Sequence, residues 1–286
     1  MSAAAGDVRL PGTQAPEVDW APEHAPARLP GESGFLATAG DIGVFFVAAL
    51  RGLRHVGPFM GEAIRQAAII ATGSTMVILA ITFLAGGSCG LESTSLARSF
   101  GVDPIAGGFS TWCTLREVVP FVFGYIVAAK VGCGMVAEIG AMQVHEEVDA
   151  LDTMGVRSIS YLVTTRMIAA AIVLPVAYVL AVASSYLAAF MMSVKRFGDV
   201  SLGTWELFFY NFQDPLDLVY SLVKGLAIAA FVITTSLYYG YKVRGGPVEV
   251  GTATARSMAV NIIGVTLISM VGTLIFWSAN PRIPVG

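Results

Sequence analysis

The chain has 286 residues, of which 55% are hydrophobic and only 13% are charged, and its formal net charge is −3. A soluble domain carries about 25% charged residues, so this composition predicts a membrane protein with several spans. The slight negative charge provides no basic surface for nucleic acid, and we expect no nucleic-acid partner. The three cysteines form no CxxC pair, which argues against a zinc site.

Residues 1–33 form a tail that is rich in proline, alanine, glutamate and glycine. This tail contains no apolar segment that would serve as a secretory signal, and its composition cannot bury a core. We therefore expect it to be disordered. Its role is open between a docking arm and a variable extension, and we favour the extension because terminal tails are commonly disordered.

The next segment, residues 34–58, is apolar but is interrupted by Asp41, Arg51 and Arg54. We interpret it as an amphipathic helix that lies on the membrane surface, and the alternative is a sixth span. Five later stretches reach the ~20 apolar residues that a spanning helix needs. They are residues 66–87, 116–138, 167–194, 217–241 and 257–279. The expected fold is therefore all-α and polytopic.

The distribution of positive charge predicts the orientation of these spans, since cytoplasmic loops are enriched in lysine and arginine. With the N-terminus inside, eleven of the 17 basic residues fall on the inner side and six on the outer side. We therefore predict a plasma (inner) membrane protein with a cytoplasmic N-terminus and an extracytoplasmic C-terminus. The aromatic residues within 195–216 then suit an outer interface belt.

The same orientation places Cys89 and Cys113 near the outer face, where a disulfide is possible. Free buried thiols are the favoured interpretation, because cysteine behaves as a small apolar residue in protein cores.

A short charged segment, residues 143–154, joins the second span to the third. Its apolar residues recur at i, i+4 and i+7, as one face of a helix requires; they are Val144, Val148 and Leu151. Glu146 and Asp149 fall on the opposite face. Such a rigid, two-faced helix is suited to transmitting force to a soluble partner, although an ordinary solvated loop helix would show the same pattern.

The second span also contains charge, which is costly in a membrane and often marks a functional site. Arg116 and Glu117 open the span, and Lys130 lies within it. All three are close enough to an interface to extend towards water instead. On position alone we favour a functional role for Glu117.

Small residues follow one another at a spacing of four in this span, at Gly124, Ala128 and Gly132. This spacing allows two helices to approach closely. The partner helix is predicted either within the same subunit or across a dimer.

No GxxxxGK[ST] loop and no GxSxG motif occurs in the chain. His145-Glu146 begins an HExxH pattern, but Asp149 occupies the position of the second histidine. We therefore expect no enzyme activity, no bound cofactor and no metal site in this chain. Active transport would depend on ATP and magnesium held by another polypeptide.

With these residues the chain resembles the MlaE/YrbE family of ABC-type permeases, over roughly Gly34 to Phe276. The resemblance rests on Leu115-Arg116-Glu117, Pro120, Lys130-Val131-Gly132, Ala137-Glu138-Ile139-Gly140, Met142, Glu146-Glu147-Val148-Asp149-Ala150-Leu151, Met154-Gly155 and Arg166. A glycine, an arginine and two prolines of the family pattern are replaced by Val119, Lys130, Ser158 and Thr165. The proline-rich start and the EEVDAL-MG spelling look like actinobacterial (mycobacterial) YrbE proteins of Mce systems.

The resemblance implies a permease subunit of an ATP-driven importer of lipids or fatty acids. A second YrbE-type subunit, expected to be a paralogue, would complete the permease. A cytoplasmic ATPase dimer of the MlaF/MceG type would bind the pair, and extracytoplasmic Mce-domain proteins would form a hydrophobic conduit. Neither the lipid nor the transport direction follows from the residues themselves.

The resemblance also assigns residues to two sites. The contact with the ATPase would be made by a coupling helix at Glu146, Glu147, Val148, Asp149, Leu151 and Met154. The substrate pocket or conserved motif would include Leu91, Arg116, Glu117, Lys130 and Glu138. The alternatives are an intramembrane lipid-modifying enzyme, which needs paired catalytic groups at membrane depth, and an ion-coupled secondary transporter, which needs inverted repeats and buried carboxylates.

Overall fold

The computed structural model describes residues 35–196 and 200–278, and every regular element within these ranges is a helix. The α-helices are α1 (Phe35–Gly52), α2 (Met60–Ser99), α3 (Ala106–Trp112), α4 (Val119–Ile126), α5 (Cys133–Val144), α6 (Glu147–Thr153), α7 (Thr165–Phe190), α8 (Leu202–Asn211), α9 (Pro215–Tyr241) and α10 (Pro247–Trp277). Short 3-10 turns occupy Leu53–His55, Gly57–Phe59 and Asp103–Ile105. The expectation of a disordered tail at 1–33 falls outside the described residues.

Within the described residues, five continuous helical stretches are long and apolar enough to cross a membrane. They are Gly57–Ser99, Asp103–Val144, Ile159–Lys195, Pro215–Tyr241 and Pro247–Trp277. The all-α class and the number of spans are therefore confirmed. Each stretch begins before the apolar run that predicted it, and the first three also end after it. Hydropathy marks the part of a helix that contacts hydrocarbon and not the ends of the helix.

The first spanning helix shows what does end it. Gly101 adopts φ +68°, in the left-handed region, and Val102 N–H bonds to Ala97 O at 2.9 Å. A second bond joins Gly101 N–H to Arg98 O at 2.9 Å. This pair of bonds is a Schellman motif, which satisfies the last carbonyls of a helix. α2 consequently continues to Ser99, although the apolar run predicts an end near residue 87.

Four π-helical turns interrupt the spanning stretches or extend their ends. They are Cys113–Val118, Val127–Gly132, Ile159–Thr164 and Met191–Arg196. A π turn shifts the hydrogen-bond pattern by one residue and is often found at functional sites. The second stretch contains two of them, and it includes most of the residues that the sequence marks as candidates.

Small residues allow the spanning helices to approach closely. α2 and α7 run side by side in parallel: Gly86 contacts Ser185 and Gly90 contacts Ala189, where an added Cβ on Gly90 would lie 2.6 Å from the Ala189 carbonyl oxygen. Because lipid tails are as apolar as side chains, such close packing is a main source of helix association in a bilayer. The sequence motifs considered above did not predict this pair of glycines.

The small-residue stripe of the second span packs against α9 within the same chain. An added Cβ on Gly124 would lie 2.5 Å from Ile228 Cγ2, and one on Gly132 would lie 2.6 Å from Ser236 Oγ. Ala128 between them is fully buried. The partner of this stripe is therefore a helix of the same subunit.

A second, smaller apolar cluster lies beyond the bundle, between the end of α2, α3 and α8. Trp205 and Phe209 are buried there and pack against Tyr186 and Phe190, with ring centroids 4.9–5.2 Å apart. Some aromatic residues of 195–216 therefore form a small core, whereas the side chain of Tyr210 is exposed. The prediction that they form an interface belt is wrong for Trp205 and Phe209.

Candidate functional site

A disulfide joins the first two spanning stretches at one end of the bundle. Cys89 of α2 is bonded to Cys113, and their Cα atoms are 5.9 Å apart. The preferred interpretation of free buried thiols is therefore wrong for this pair. The long continuation of α2 brings Cys89 alongside Cys113, which leaves Cys133 as a free thiol.

The π turn that begins at Cys113 exposes two backbone carbonyls to neighbouring helices. Val119 N–H bonds to Thr114 O in the i+5 pattern of a π turn, and Pro120 has no N–H to donate. Side chains of α9 donate to the next two carbonyls instead. Ser221 Oγ donates to Leu115 O at 2.6 Å, and Lys224 Nζ donates to Arg116 O at 2.8 Å. Pro120 thus explains why this turn needs polar partners inside an apolar bundle.

Arg116 projects from this turn into a largely enclosed ion pair. Its Nη2 and Nε donate to the same oxygen of Asp217, at 2.7 and 3.1 Å. Trp277 Nε1 donates to the other oxygen of Asp217 at 2.9 Å. The Asp217 carboxylate is 1% exposed and the Arg116 side chain 12%. The guanidinium also lies over the rings of Trp112 and Trp277, at 4.6 and 5.6 Å from their centroids.

Lys224 forms a second ion pair beside the first. Its Nζ donates to Glu117 Oε2 at 3.2 Å and to Thr273 Oγ1 at 2.7 Å. Thr273 Oγ1 in turn donates to the other oxygen of Glu117. The Lys224 side chain is fully buried, whereas that of Glu117 is 49% exposed. Glu117 is therefore the open edge of a four-charge cluster formed by Arg116, Glu117, Asp217 and Lys224.

This ionic cluster changes the interpretation of the charges in the second span. Arg116 does not extend towards water, because its guanidinium is held by Asp217 and two indole rings. Buried charges are costly unless they are paired and hydrogen-bonded, and each charge here has such partners. What remains accessible is one face of the Glu117 carboxylate, which is free to contact a ligand or a second subunit.

The other pocket residues suggested by the resemblance contribute no side chain to this cluster. Leu91 is on an exposed face of α2, and Lys130 is on an exposed face of the second stretch. Glu138 pairs with Arg166 at 2.7 Å, towards the opposite end of the bundle. Arg166 is buried, and its Nη1 also donates to Leu162 O at 3.0 Å. The structure thus brings together only Arg116 and Glu117 among the five.

The charged segment between the second and third stretches forms α6, which is shorter than the predicted helix at 143–154. α5 ends at Val144, and Glu146 adopts φ +58° before α6 begins. Gly155, at φ +77°, ends α6 with a Schellman motif in which Val156 N–H bonds to Leu151 O at 3.0 Å. Two turns therefore define a compact seven-residue helix.

α6 has one buried and one exposed face. Val148 is buried, whereas Glu146, Glu147 and Asp149 are exposed and Met154 is 70% exposed. The contact of this exposed face with an ATPase stays a prediction.

Hydrogen bonds tie the α6 region to the end of α9, which sequence reasoning did not anticipate. Ser158 Oγ lies 3.0 Å from Tyr241 OH, and Ser158 N–H donates to Asp152 Oδ1 at 3.2 Å. Gln143 Nε2 donates to Tyr241 O at 2.8 Å. α9 therefore contacts the α6 region at one end and supplies Asp217 and Lys224 to the ionic cluster at the other.

The sequence does contain a signal for the α9 residues that bind the π turn and the ionic cluster, although it was not used to predict them. Asp217, Ser221 and Lys224 follow at i, i+4 and i+7 in an apolar span, which places them on one helix face.

Within residues 35–196 and 200–278, no three His, Cys, Asp or Glu side chains converge as metal ligands would.

Five membrane-length helices around a paired ionic cluster define a polytopic membrane protein. Its sequence matches the family described as Permease MlaE over residues 63–275. The chain belongs to this family.

The relatives that it resembles are named as transport permeases or as a chloroplast protein. A "Probable ABC transporter permease protein" of Rickettsia bellii is 27% identical over 238 residues, which cover 83% of this chain and 92% of the relative. The "Intermembrane phospholipid transport system permease protein MlaE" of Haemophilus influenzae is 23% identical, with 86% and 94% covered. "Protein TRIGALACTOSYLDIACYLGLYCEROL 1, chloroplastic" of Arabidopsis thaliana is 26% identical, with 67% and 57% covered.

Proposed function

We propose that this chain is the membrane-spanning subunit of an ATP-driven lipid transporter and that a separate ATPase supplies the energy. Family membership and a relative named for phospholipid transport support the lipid as cargo. The mechanism rests on the single observation that α9 contacts both candidate sites. This helix is hydrogen-bonded to the α6 region at Tyr241 and contributes Lys224 to the cluster at Glu117.

In the proposed mechanism, the ATPase contacts the exposed acidic face of α6. Movement of α6 is passed through Ser158 and Gln143 to Tyr241. α9 has 27 residues and a length of ~40 Å at ~1.5 Å per residue, so it transmits this movement as a rigid rod. Its displacement would change the contact of Lys224 with Glu117. Rigid-body shifts of packed helices of this kind are a common way of coupling distant sites.

We further propose that the transporter is an Mce-type importer of lipids or fatty acids. The proline-rich start and the EEVDAL-MG spelling support this narrower assignment. Its partners would be a paralogous YrbE-type permease, an ATPase dimer of the MlaF/MceG type with bound ATP and magnesium, and extracytoplasmic Mce-domain proteins. The half-exposed Glu117 would contribute to the lipid pocket.

The proposed orientation places α6 in the cytoplasm and Trp277 on the extracytoplasmic side. The disulfide supports it, because structural disulfides form in oxidising compartments. Cys113 and Trp277 are at the same end, since Arg116 contacts Trp277 three residues after Cys113. The excess of lysine and arginine on the α6 side points the same way.

Charge reversal on α6 tests the proposed function. Replacing Glu146, Glu147 and Asp149 together by lysine should abolish co-purification of the ATPase from the native host and leave the size-exclusion profile of the permease unchanged. The matched control reverses Glu92 and Glu206, which are exposed carboxylates towards the other end. Wild-type recovery of the ATPase with the triple variant, or equal loss with the control, would contradict the proposal.

The buried Asp217 carboxylate favours one alternative, an ion-coupled secondary transporter, since such proteins place carboxylates inside the membrane. The two mechanisms differ in their energy source. Lipid uptake that persists without the ATPase and stops when a protonophore dissipates the proton gradient would support the alternative.

A further inference from the structure

A groove of about 480 Å³ opens on the face of the bundle, and none of the four residues of the ionic cluster lines it. Its volume is within the ~300–1,000 Å³ of typical small-molecule sites. Three spanning stretches line it, with Val77 and Ile81, Val122 and Ile126, and Met258 as apolar contacts and Lys130 as its cation. Tyr125 also borders the groove, but its hydroxyl is bonded to Thr266 Oγ1 at 2.9 Å.

Lys130 lies well inside its span. At ~1.5 Å per residue it is roughly 20 Å along the helix from Arg116 and roughly 12 Å from Glu138. Its side chain is exposed, and no hydrogen bond or ion pair joins it to residues 35–196 or 200–278. A lysine at this depth is costly, and such residues usually face a cavity and pair with a counter-charge.

Lys224 shows how this fold treats its other intramembrane lysine. Its ammonium group is fully buried and has three partners, namely a carbonyl, a carboxylate and a hydroxyl. Lys130 has none of these, although it borders a groove that is otherwise lined by apolar side chains. A negatively charged group that enters the groove would supply the partner that Lys130 lacks.

We propose that this groove binds an anionic lipid, with an acyl chain along Val77, Ile81 and Val122 and the negative head group on Lys130. The apolar walls match an acyl chain, and a single ammonium group matches a single negative charge. A net-neutral lipid would bring its own cation close to Lys130. This inference rests on the proposed function and deepens it, because it gives the class of lipid that the permease accepts.

Native mass spectrometry of the full-length chain tests the inference. The protein is released from nanodiscs that contain equal amounts of phosphatidylglycerol and phosphatidylcholine with identical acyl chains. The wild type should retain phosphatidylglycerol in excess, and Lys130→Gln should reduce that excess by about tenfold, as expected for loss of one charge-assisted contact. Lys130→Arg should restore most of it. Lys195→Gln, which removes another exposed lysine, is the matched control and should behave as wild type.

Three results of the lipid measurement itself would overturn the inference. They are an absence of phosphatidylglycerol preference in the wild type, an unchanged preference in Lys130→Gln, and an equal loss in the Lys195→Gln control. A change of oligomeric state in Lys130→Gln with unchanged lipid binding would show that a second subunit supplies the counter-charge, and this also overturns it. ATPase co-purification is scored in parallel, so that loss of lipid preference in a variant that still binds the ATPase is distinguished from failure of the proposed function.

Discussion

At the residue scale, the ionic cluster shows how one backbone feature determines its side-chain partners. Pro120 cannot donate, so the π turn before it lacks one backbone donor, and α9 donates to Leu115 O and Arg116 O through Ser221 and Lys224. A buried carbonyl without a partner costs about 1–3 kcal/mol. Ser221 and Lys224 are therefore needed for the fold, and the ammonium group of Lys224 also neutralises Glu117. Lys224 therefore both stabilises the fold and forms part of the candidate functional site.

The unequal exposure of the two carboxylates in the cluster predicts unequal effects. Asp217→Asn should lower the stability of the detergent-solubilised protein by about 3–5 kcal/mol, because it leaves the Arg116 cation enclosed without its counter-charge. Glu117→Gln should lower stability less, because the amide oxygen can still accept from the buried Lys224, which also keeps Arg116 O and Thr273 Oγ1 as acceptors. Water also reaches this side chain, which is 49% exposed. The same variant should reduce lipid uptake. Thermal unfolding monitored by tryptophan fluorescence measures the first effect, and labelled-lipid uptake measures the second. Equal stability losses, or full uptake by Glu117→Gln, would contradict this division.

At the element scale, the close approach of two helices depends on particular glycines. Gly86 and Gly90 of α2 face Ser185 and Ala189 of α7, whereas Gly73 of the same helix has no heavy atom within 4 Å of a Cβ position. In the absence of a hydrophobic driving force between helices, these contacts fix how the first and third spanning stretches pack. The glycines of α2 are therefore not equivalent.

Valine substitutions in α2 test this difference. Gly90→Val should lower the free energy of unfolding by about 1–3 kcal/mol, because the added side chain meets the backbone of Ala189. Gly73→Val, the matched control, should leave stability within about 0.5 kcal/mol of wild type, as expected for an open surface site. Both variants are heated in the same detergent, and the size-exclusion peak of the intact protein measures how much of each variant survives. Equal stability in both would mean that α2 and α7 are not in close contact at Gly90.

Sequence reasoning was successful where the signal is local and limited where it is not. Spans follow from hydropathy, and the small-residue stripe at Gly124 and Gly132 follows from a spacing of four. Arg116 and Asp217, by contrast, are 101 positions apart, and their pairing depends on how α9 is rotated. The Cys89–Cys113 bond likewise depends on α2 continuing past its apolar run, which hydropathy does not report. The proximity of Tyr241 to Ser158 is a third contact that only the folded chain reveals.

At the scale of the whole molecule, the chain has two chemically different ends. One end has the disulfide, the aromatic cluster around Trp205 and the ionic cluster. The other has α6 with its exposed carboxylates and the Glu138–Arg166 pair. α9 reaches from one to the other. A transporter driven from one side of a membrane requires such asymmetry, and the proposed function therefore depends on which end is cytoplasmic.

Two exposed side chains allow the orientation to be measured without disturbing either end. Phe100, beside the end of α2, is 71% exposed, and Met154, at the end of α6, is 70% exposed. In a Cys133→Ser background the native disulfide leaves no free thiol, so a single introduced cysteine is the only reactive site. A membrane-impermeant maleimide should label Phe100→Cys in intact cells and Met154→Cys only after permeabilisation. The opposite pattern would place α6 outside, where no ATPase can reach it, and would exclude the proposed mechanism whatever lipid the groove at Lys130 binds.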